Sequence, residues 1–304
     1  MLLFKRNLAG SIFISLLLLP WIGWAGGAYP YRFPDPKMRF DSNANTVIGL
    51  PGEYITKEKD TLLDVARDHG LGFNELEILY PDLDPWVPPR GMKLIIPSQW
   101  VLPPTRKYGI VINIPEMRLY YFFKSIRMVR TYPIGIGDLG WYSPEGTFWI
   151  TNKREKPTWH IPKSLQEKYG QKVMPPGPEN PLGDYWLGLS IPEYGIHGTN
   201  FPWAVGRLVT HGCIRLYPED IAKLFPLVPS KTPVEMIYEP VKLGLQHGRL
   251  FVEVHPDIYG KIPDFLEYGL AKIQALGWEA RAGRDLFLKA LEEKKGIPVD
   301  ITEE

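Results

Sequence analysis

The sequence predicts a mainly β domain, sandwich-like with a few helices, preceded by a small α+β module of βααβ order and followed by a helical C-terminal extension. Three observations lead there. First, 29 Gly and 31 Pro make up about a fifth of the 304 residues, which favours strands and loops over a helical bundle. Second, short runs of β-branched and aromatic residues recur between turn signals from Tyr108 to Tyr238. Third, apolar residues take up helical spacing only in short stretches near 62–79 and 218–225 and again beyond 262.

The chain opens with a basic pair, Lys5 and Arg6, a mostly apolar stretch from Leu8 to Leu19, then Pro20 and "GWAGGAYP". This pattern predicts a cleavable export signal over 1–28, with small residues permitting cleavage after Ala25 or Ala28. The apolar run is shorter than the ~20 residues a membrane span needs, so no lasting membrane anchor is expected. Residues 29–50 are rich in Pro, Asn and Asp without periodicity and read as an extended lead-in.

Residues 51–98 form a compact unit. "GEYIT" alternates as a strand, Asp60 and Thr61 offer caps for a helix carrying Leu62, Val65 and Ala66, and Gly70 ends it. "FNELEILY" gives a second helix stopped by Pro81, and "GMKLIIP" returns as a strand. Residues 99–106 read as a linker, kept extended by Pro103 and Pro104. In 107–239, "YGIVINI" and "RLYYFF" form a hairpin, "RMVRTYPIGIG", "GTFWITN" and "PVEMIY" add strands, and 152–190 reads as a long cleft-lining loop. Pro218, Glu219 and Asp220 open a helix with Ile221, Leu224 and Phe225 on its apolar face. The extension, 240–304, holds a strand "LFVEVH" and two helical stretches, 262–276 and 281–295. These either pack on the preceding domain or make an appended subdomain.

Charge excludes one class of partner. Without Lys5 and Arg6 the chain holds 33 basic and 34 acidic residues and no basic stripe, so no nucleic acid is expected. Cys213 is the only cysteine, so an exported chain has no internal disulfide. A lone thiol in an oxidising compartment is open to mixed disulfides and overoxidation, and its presence asks for a use.

That cysteine lies in "VTHGCIRLYPEDI", with His197 nearby in "YGIHGTN". Three readings compete. Cys213 is a buried filler; or it joins His197 and His211 in a zinc site that lacks an obvious fourth ligand; or it is a nucleophile activated by an imidazole. On an extended chain, His211, Cys213 and Arg215 share one face, and His197 approaches from a separate segment. Gly198 and Gly212 allow backbone N–H groups to approach a ligand, as an oxyanion hole requires. Arg215 suits a bidentate contact to a substrate carboxylate, or a brace to a loop. Trp141, Trp149, Trp159 and Trp203 are candidates to line a glycan or peptide cleft, with Trp149 the one best suited to the core.

Two resemblances sharpen these readings. "GEYITKEKDTLLDVARDHGLGFNELEILYPDLDP" with "GMKLIIPSQW" resembles a LysM domain, a family that binds the glycan of peptidoglycan or chitin. Lys59 and Tyr80 stand where that family usually has Gly and Asn. "HGTNFPWAVGRLVTHGCIRL", supported by "PIGIG", "SPEGTFWI" and "NPLGDYWLGL", closely resembles the signature of the L,D-transpeptidase catalytic domain over about 107–239. Thr210 replaces the Ser often found there.

The resemblance implies a periplasmic peptidoglycan enzyme with Cys213 as nucleophile and His197 as proton donor and acceptor. His211 becomes a pocket residue or alternative base, and the Gly212 and Cys213 N–H groups become oxyanion donors. Gly198, Thr199, Thr210 and Arg215 fall at substrate-binding positions. No metal or organic cofactor is required. Expected partners are peptidoglycan stem peptides and glycan strands, with a second stem, a wall-anchored lipoprotein or water as acceptor. The alternatives are a non-catalytic peptidoglycan-binding protein and a zinc-dependent wall hydrolase.

Overall fold

Strands Gly109–Asn113 and Arg118–Phe122 are buried along their whole length, in the computed structural model that describes residues 27–105 and 108–303. The export signal expected over 1–28 falls, except for its last two residues, outside the described residues. Period-two alternation explains the double burial. Ile110, Ile112, Leu119 and Tyr121 face one core, while Val111, Tyr120 and Phe122 face a second core on the other side of the sheet.

These strands are the middle of a nine-stranded sheet. Its order is Ala28–Pro30, Met128–Pro133, Arg118–Phe122, Gly109–Asn113, Pro233–Ile237, Gly146–Glu155, Tyr185–Leu189, Gly195–His197 and Ile214–Arg215. Neighbours are antiparallel except for Gly109–Asn113 with Pro233–Ile237 and Gly195–His197 with Ile214–Arg215. The far ends meet. Gly135, just beyond Met128–Pro133, exchanges two backbone hydrogen bonds with Arg215, at 2.8 and 2.9 Å. The sandwich-like expectation is therefore corrected to one curled sheet, because the strand at one end bonds back to Gly135, just beyond the second strand from the other end.

The small module has the expected βααβ order. Strands Gly52–Ile55 and Lys93–Ile96 pair antiparallel around helices α1 (Leu62–Asp68) and α2 (Phe73–Leu79). Thr61 caps α1, its hydroxyl accepting from the Asp64 N–H at 3.0 Å. Leu62, Leu63, Val65, Ala66, Phe73 and Leu76 are buried directly against the outer face of the sheet, sharing a core with Val111, Tyr120 and Phe122. At ~1.5–3 kcal/mol for each fully buried large side chain, this is a permanent interface. Of the expected linker 99–106, the described residues 99–105 do not behave as a linker. Gln99–Val101 is a strand paired with Val47–Gly49, and Trp100, Val101 and Leu102 are buried. The lead-in also does more than extend, since Ala28–Pro30 forms the edge of the large sheet.

Charges are buried at the same boundary. Arg118, fully buried, donates to Glu75 at 2.5 Å and lies 4.2 Å over the Trp100 ring. Lys242 Nζ lies 2.8 Å from Glu116 Oε2 and 3.0 Å from Glu253 Oε1, all three groups lacking solvent contact. It donates to the Val101 carbonyl at 2.6 Å. One ammonium thus ties the hairpin of the large sheet, the supposed linker and the C-terminal segment together.

The expected long loop 152–190 is partly ordered. It carries the end of strand Gly146–Glu155, the ribbon Trp159–His160 with Val173–Met174, helix α3 (Lys163–Tyr169) and the whole of strand Tyr185–Leu189. Helix α4 (Pro218–Leu224) inserts Ile221 and Leu224 into the concave core. The C-terminal extension is corrected from helical to α+β. Val241–Gln246, Arg249–Val254 and Val299–Asp300 form a three-stranded sheet under helices α5 (Phe265–Leu276) and α6 (Arg284–Glu293), with a third core that also takes in Phe40 and Ala44. Trp149, expected in the core, is 52% exposed. Among the described residues no helix is long and apolar enough to cross a membrane.

Candidate active site

Two neighbouring strand ends build the site. Gly195–His197 runs parallel to Ile214–Arg215 with Ile196 opposite Ile214 and His197 opposite Arg215. His197 and Arg215, as direct partners, share one face of that pair, and Cys213 immediately precedes the second strand. His197 is buried, and its ring stacks on Trp186 at 5.7 Å. Its Nδ1 lies 2.6 Å from the Gly198 carbonyl, which requires Nδ1 to carry the proton and leaves Nε2 as the unprotonated nitrogen. Burial, and then the Arg215 charge, push the imidazole down to about 3 against the pull of the Gly198 and Leu182 carbonyls.

Cys213 is half-buried, and its thiol donates to the Glu193 carbonyl at 3.5 Å rather than to His197. Desolvation pushes the thiol up to about 11, opposed by the Gly195 N–H and Arg215. The resting pair at neutral pH is therefore a thiol and a neutral imidazole. Burial also lowers the Arg215 guanidinium. Arg215 Nε is buried and has no hydrogen-bond partner. A half-buried guanidinium with an unpartnered Nε has capacity for an incoming carboxylate.

The turn before the cysteine needs glycine. Gly212 has φ +101°, and a Cβ there would meet Tyr194 at 2.5 Å. This turn breaks the extended geometry assumed for 209–215, so His211 does not share the face of Cys213. It is exposed and packs edge-on against Trp141 at 4.8 Å. Partial burial, then Lys168 and Arg215, lower its pKa. Its expected place as an alternative base is corrected accordingly.

Thr210 Oγ1 accepts from the Gly212 N–H at 3.0 Å and donates to the Cys213 carbonyl at 2.7 Å. The Gly212 N–H is thus occupied, which corrects its expected place as an oxyanion donor. The Cys213 N–H forms no hydrogen bond among the described residues. Thr199 Oγ1 accepts from the Phe201 N–H at 2.9 Å. Both hydroxyls shape turns rather than face the cleft. Gly198 packs tightly on Ile221, where a Cβ would lie 3.2 Å from the side chain.

Metal-ligand geometry is found elsewhere. Among the described residues, the ligand atoms that converge within 4.8 Å belong to Glu116, Glu253 and His255, and His197, His211 and Cys213 form no such group. Between Glu116 and Glu253 the Lys242 ammonium already supplies the cation. Burial opposes ionisation of Glu253, yet Lys242 and His255 hold its carboxyl below the ordinary range.

Sequence reasoning missed two residues at the site. Ser143, quoted only within "SPEGTFWI", is buried and donates to the Gly212 carbonyl at 3.0 Å. Tyr259, from the C-terminal extension, donates to the Gly137 carbonyl at 2.7 Å. The small residue before Pro144 was a signal for Ser143; nothing local marked Tyr259.

Residues 107–236 match the family model described as the L,D-transpeptidase catalytic domain. The chain is 41% identical over 294 residues to a probable L,D-transpeptidase, YbiS, of Escherichia coli (strain K12), covering 91% of this chain and 94% of that protein. It is 34% identical over 262 residues to the probable L,D-transpeptidase YcfS of the same strain, covering 81% and 82%. It is 38% identical over 238 residues to the probable L,D-transpeptidase ErfK/SrfK, covering 75% and 74%.

Proposed function

Because the chain belongs to the L,D-transpeptidase family, we propose that it is an exported peptidoglycan L,D-transpeptidase in which Cys213 and His197 perform the acyl transfer. The supporting observation is the His197 tautomer: Nδ1–H is held by Gly198, which leaves Nε2 as the base, on a strand paired with the one that follows Cys213.

The steps follow from that pair. The Cys213 thiol rotates from Glu193 and gives its proton to His197 as the sulfur attacks the diaminopimelate carbonyl of a stem tetrapeptide. The new S–C bond places negative charge on the carbonyl oxygen, which the unengaged Cys213 N–H stabilises. The C–N bond to D-Ala then breaks, His197 returns the proton to the leaving amine, and a thioester remains. An acceptor amine loses a proton to His197, attacks the thioester, and releases the thiol. A neutral resting pair suits this sequence, since no charge is buried until substrate arrives. Arg215, with its unpartnered Nε, would bind a stem carboxylate. The acceptor is a second stem peptide or a lipoprotein amine.

The βααβ module is read as LysM-like from its motif and element order, and would hold the glycan. The leader directs the chain to the periplasm. Cleavage after Ala25 leaves the edge strand Ala28–Pro30 whole, whereas cleavage after Ala28 removes its first residue.

Mass spectrometry after incubation with a carbapenem tests the enzyme. The expected result is a stoichiometric adduct on wild type, absent from Cys213→Ala, together with loss of D-Ala release from tetrapeptide substrate in that variant. An unmodified wild-type protein, or full activity in Cys213→Ala, would overturn the assignment.

A further inference from the structure

The C-terminal subdomain reaches the reacting peptide group through two hydroxyls. Tyr259, in the segment between strand Arg249–Val254 and α5, is buried within the core of the catalytic sheet. Its hydroxyl donates to the Gly137 carbonyl at 2.7 Å and accepts from the Ser143 N–H at 3.4 Å. Ser143, 1% exposed, accepts from the Gly137 N–H and donates to the Gly212 carbonyl, both at 3.0 Å. Tyr259 is itself fixed, because its N–H donates to the Tyr238 hydroxyl at 2.8 Å and its ring packs on Tyr142 at 4.6 Å.

The Gly212 carbonyl and the Cys213 N–H belong to one planar trans peptide and point in opposite directions. Gripping the oxygen therefore aims the N–H. Gly212 at φ +101° has no side chain to restrain that plane, and Thr210 holds only the groups flanking it, the Gly212 N–H and the Cys213 carbonyl. We propose that Ser143 and Tyr259 are positioning residues that orient the Gly212–Cys213 peptide so that the Cys213 N–H faces the oxyanion formed during acylation. The inference rests on the transpeptidase reading above, and it gives the C-terminal subdomain a part in catalysis.

The test separates aiming the N–H from exposing the thiol. Acylation by meropenem develops charge on a carbonyl oxygen, whereas alkylation by iodoacetamide does not. Tyr259→Phe, which removes a single oxygen, and Ser143→Ala are compared with wild type by stopped-flow acylation and by the alkylation rate from pH 7 to 10. The expected result is acylation slowed about 10- to 100-fold in both variants, a loss of the size that misplacing one donor brings. Alkylation stays within about twofold and keeps its pH profile, since the thiolate itself is untouched.

Acylation at the wild-type rate in Tyr259→Phe overturns the proposal, as does alkylation falling in step with acylation. Tyr259→Phe decides the matter alone if Ser143→Ala does not fold. A wild-type protein that alkylates but never acylates overturns the transpeptidase reading, and this inference falls with it.

Discussion

Arg118 and Glu75 form a fully buried ion pair at 2.5 Å between the nine-stranded sheet and the small module. Glu75 also accepts from the Gly72 N–H at 2.7 Å and from Trp100 Nε1 at 3.0 Å, so both carboxylate oxygens are used. Removing Glu75 strands a guanidinium away from water. Glu75→Ala is expected to destabilise the protein by about 3–5 kcal/mol in urea unfolding. Arg67→Ala breaks a half-exposed pair with Glu219 across the same interface, and its cost is expected near ~1 kcal/mol. Equal costs would show that burial does not set the value of the first pair.

The resting thiol and imidazole predict an unusual pH profile. With Cys213 pushed up to about 11, its alkylation by iodoacetamide should rise about tenfold per pH unit from pH 7 to 10 without a plateau. With His197 pushed down to about 3, that imidazole is neutral throughout this range. His197→Ala should therefore leave the alkylation slope unchanged while abolishing acyl transfer. A plateau below pH 8 would indicate a preformed ion pair.

Asp220 supplies a stability term of unusual sign. Burial raises its carboxyl to about 6, above the 3.8 of an unfolded chain, with Lys223 opposing. The folded state thus binds this proton more tightly. The stabilisation is complete below pH 3.8 and is lost as pH rises through 6, amounting to about 3 kcal/mol at most. Asp220→Asn removes the loss, so the variant should melt higher than wild type at pH 7 and lose that advantage at pH 4. Parallel Tm curves at both values would exclude the effect.

Gly212 tests the turn directly. Gly212→Ala places a Cβ against Tyr194 and forces an L-residue to φ +101°, at about 1–2 kcal/mol for the backbone alone. Circular dichroism should show a folded protein, with acyl transfer at least about 100-fold lower. Activity near wild type would show that the turn's geometry does not matter to the chemistry.

Local signals carried much of this architecture. The Thr61 cap, Gly70 and Pro81 delimited two helices because each acts within its own turn. The two His-Gly pairs beside a lone thiol raised a Cys–His pair as one of three readings, and the resemblance named His197; the structure sets His197 opposite Arg215, two residues after Cys213. What escaped depends on distant partners. Gly109–Asn113 pairs with Pro233–Ile237, over a hundred residues away, and no local pattern records it. Arg118, Lys242 and Glu253 look like ordinary strand charges until their partners are placed. His211 was misplaced because the parity argument assumed an extended chain through Gly212, whose backbone turns instead.

The lead-in has a consequence for how the molecule is made. Phe40 and Ala44 lie in the core built by residues 241–301, and the Trp278 indole donates to the Arg39 carbonyl at 2.8 Å. The first strand of the large sheet likewise waits for Met128–Pro133. A polypeptide emerging from its N-terminus cannot complete one module before the next arrives, since its earliest residues find their final neighbours only among the last to appear. The order of synthesis is thus not the order of assembly, and cutting the chain at its apparent module boundaries would leave every fragment with an open core.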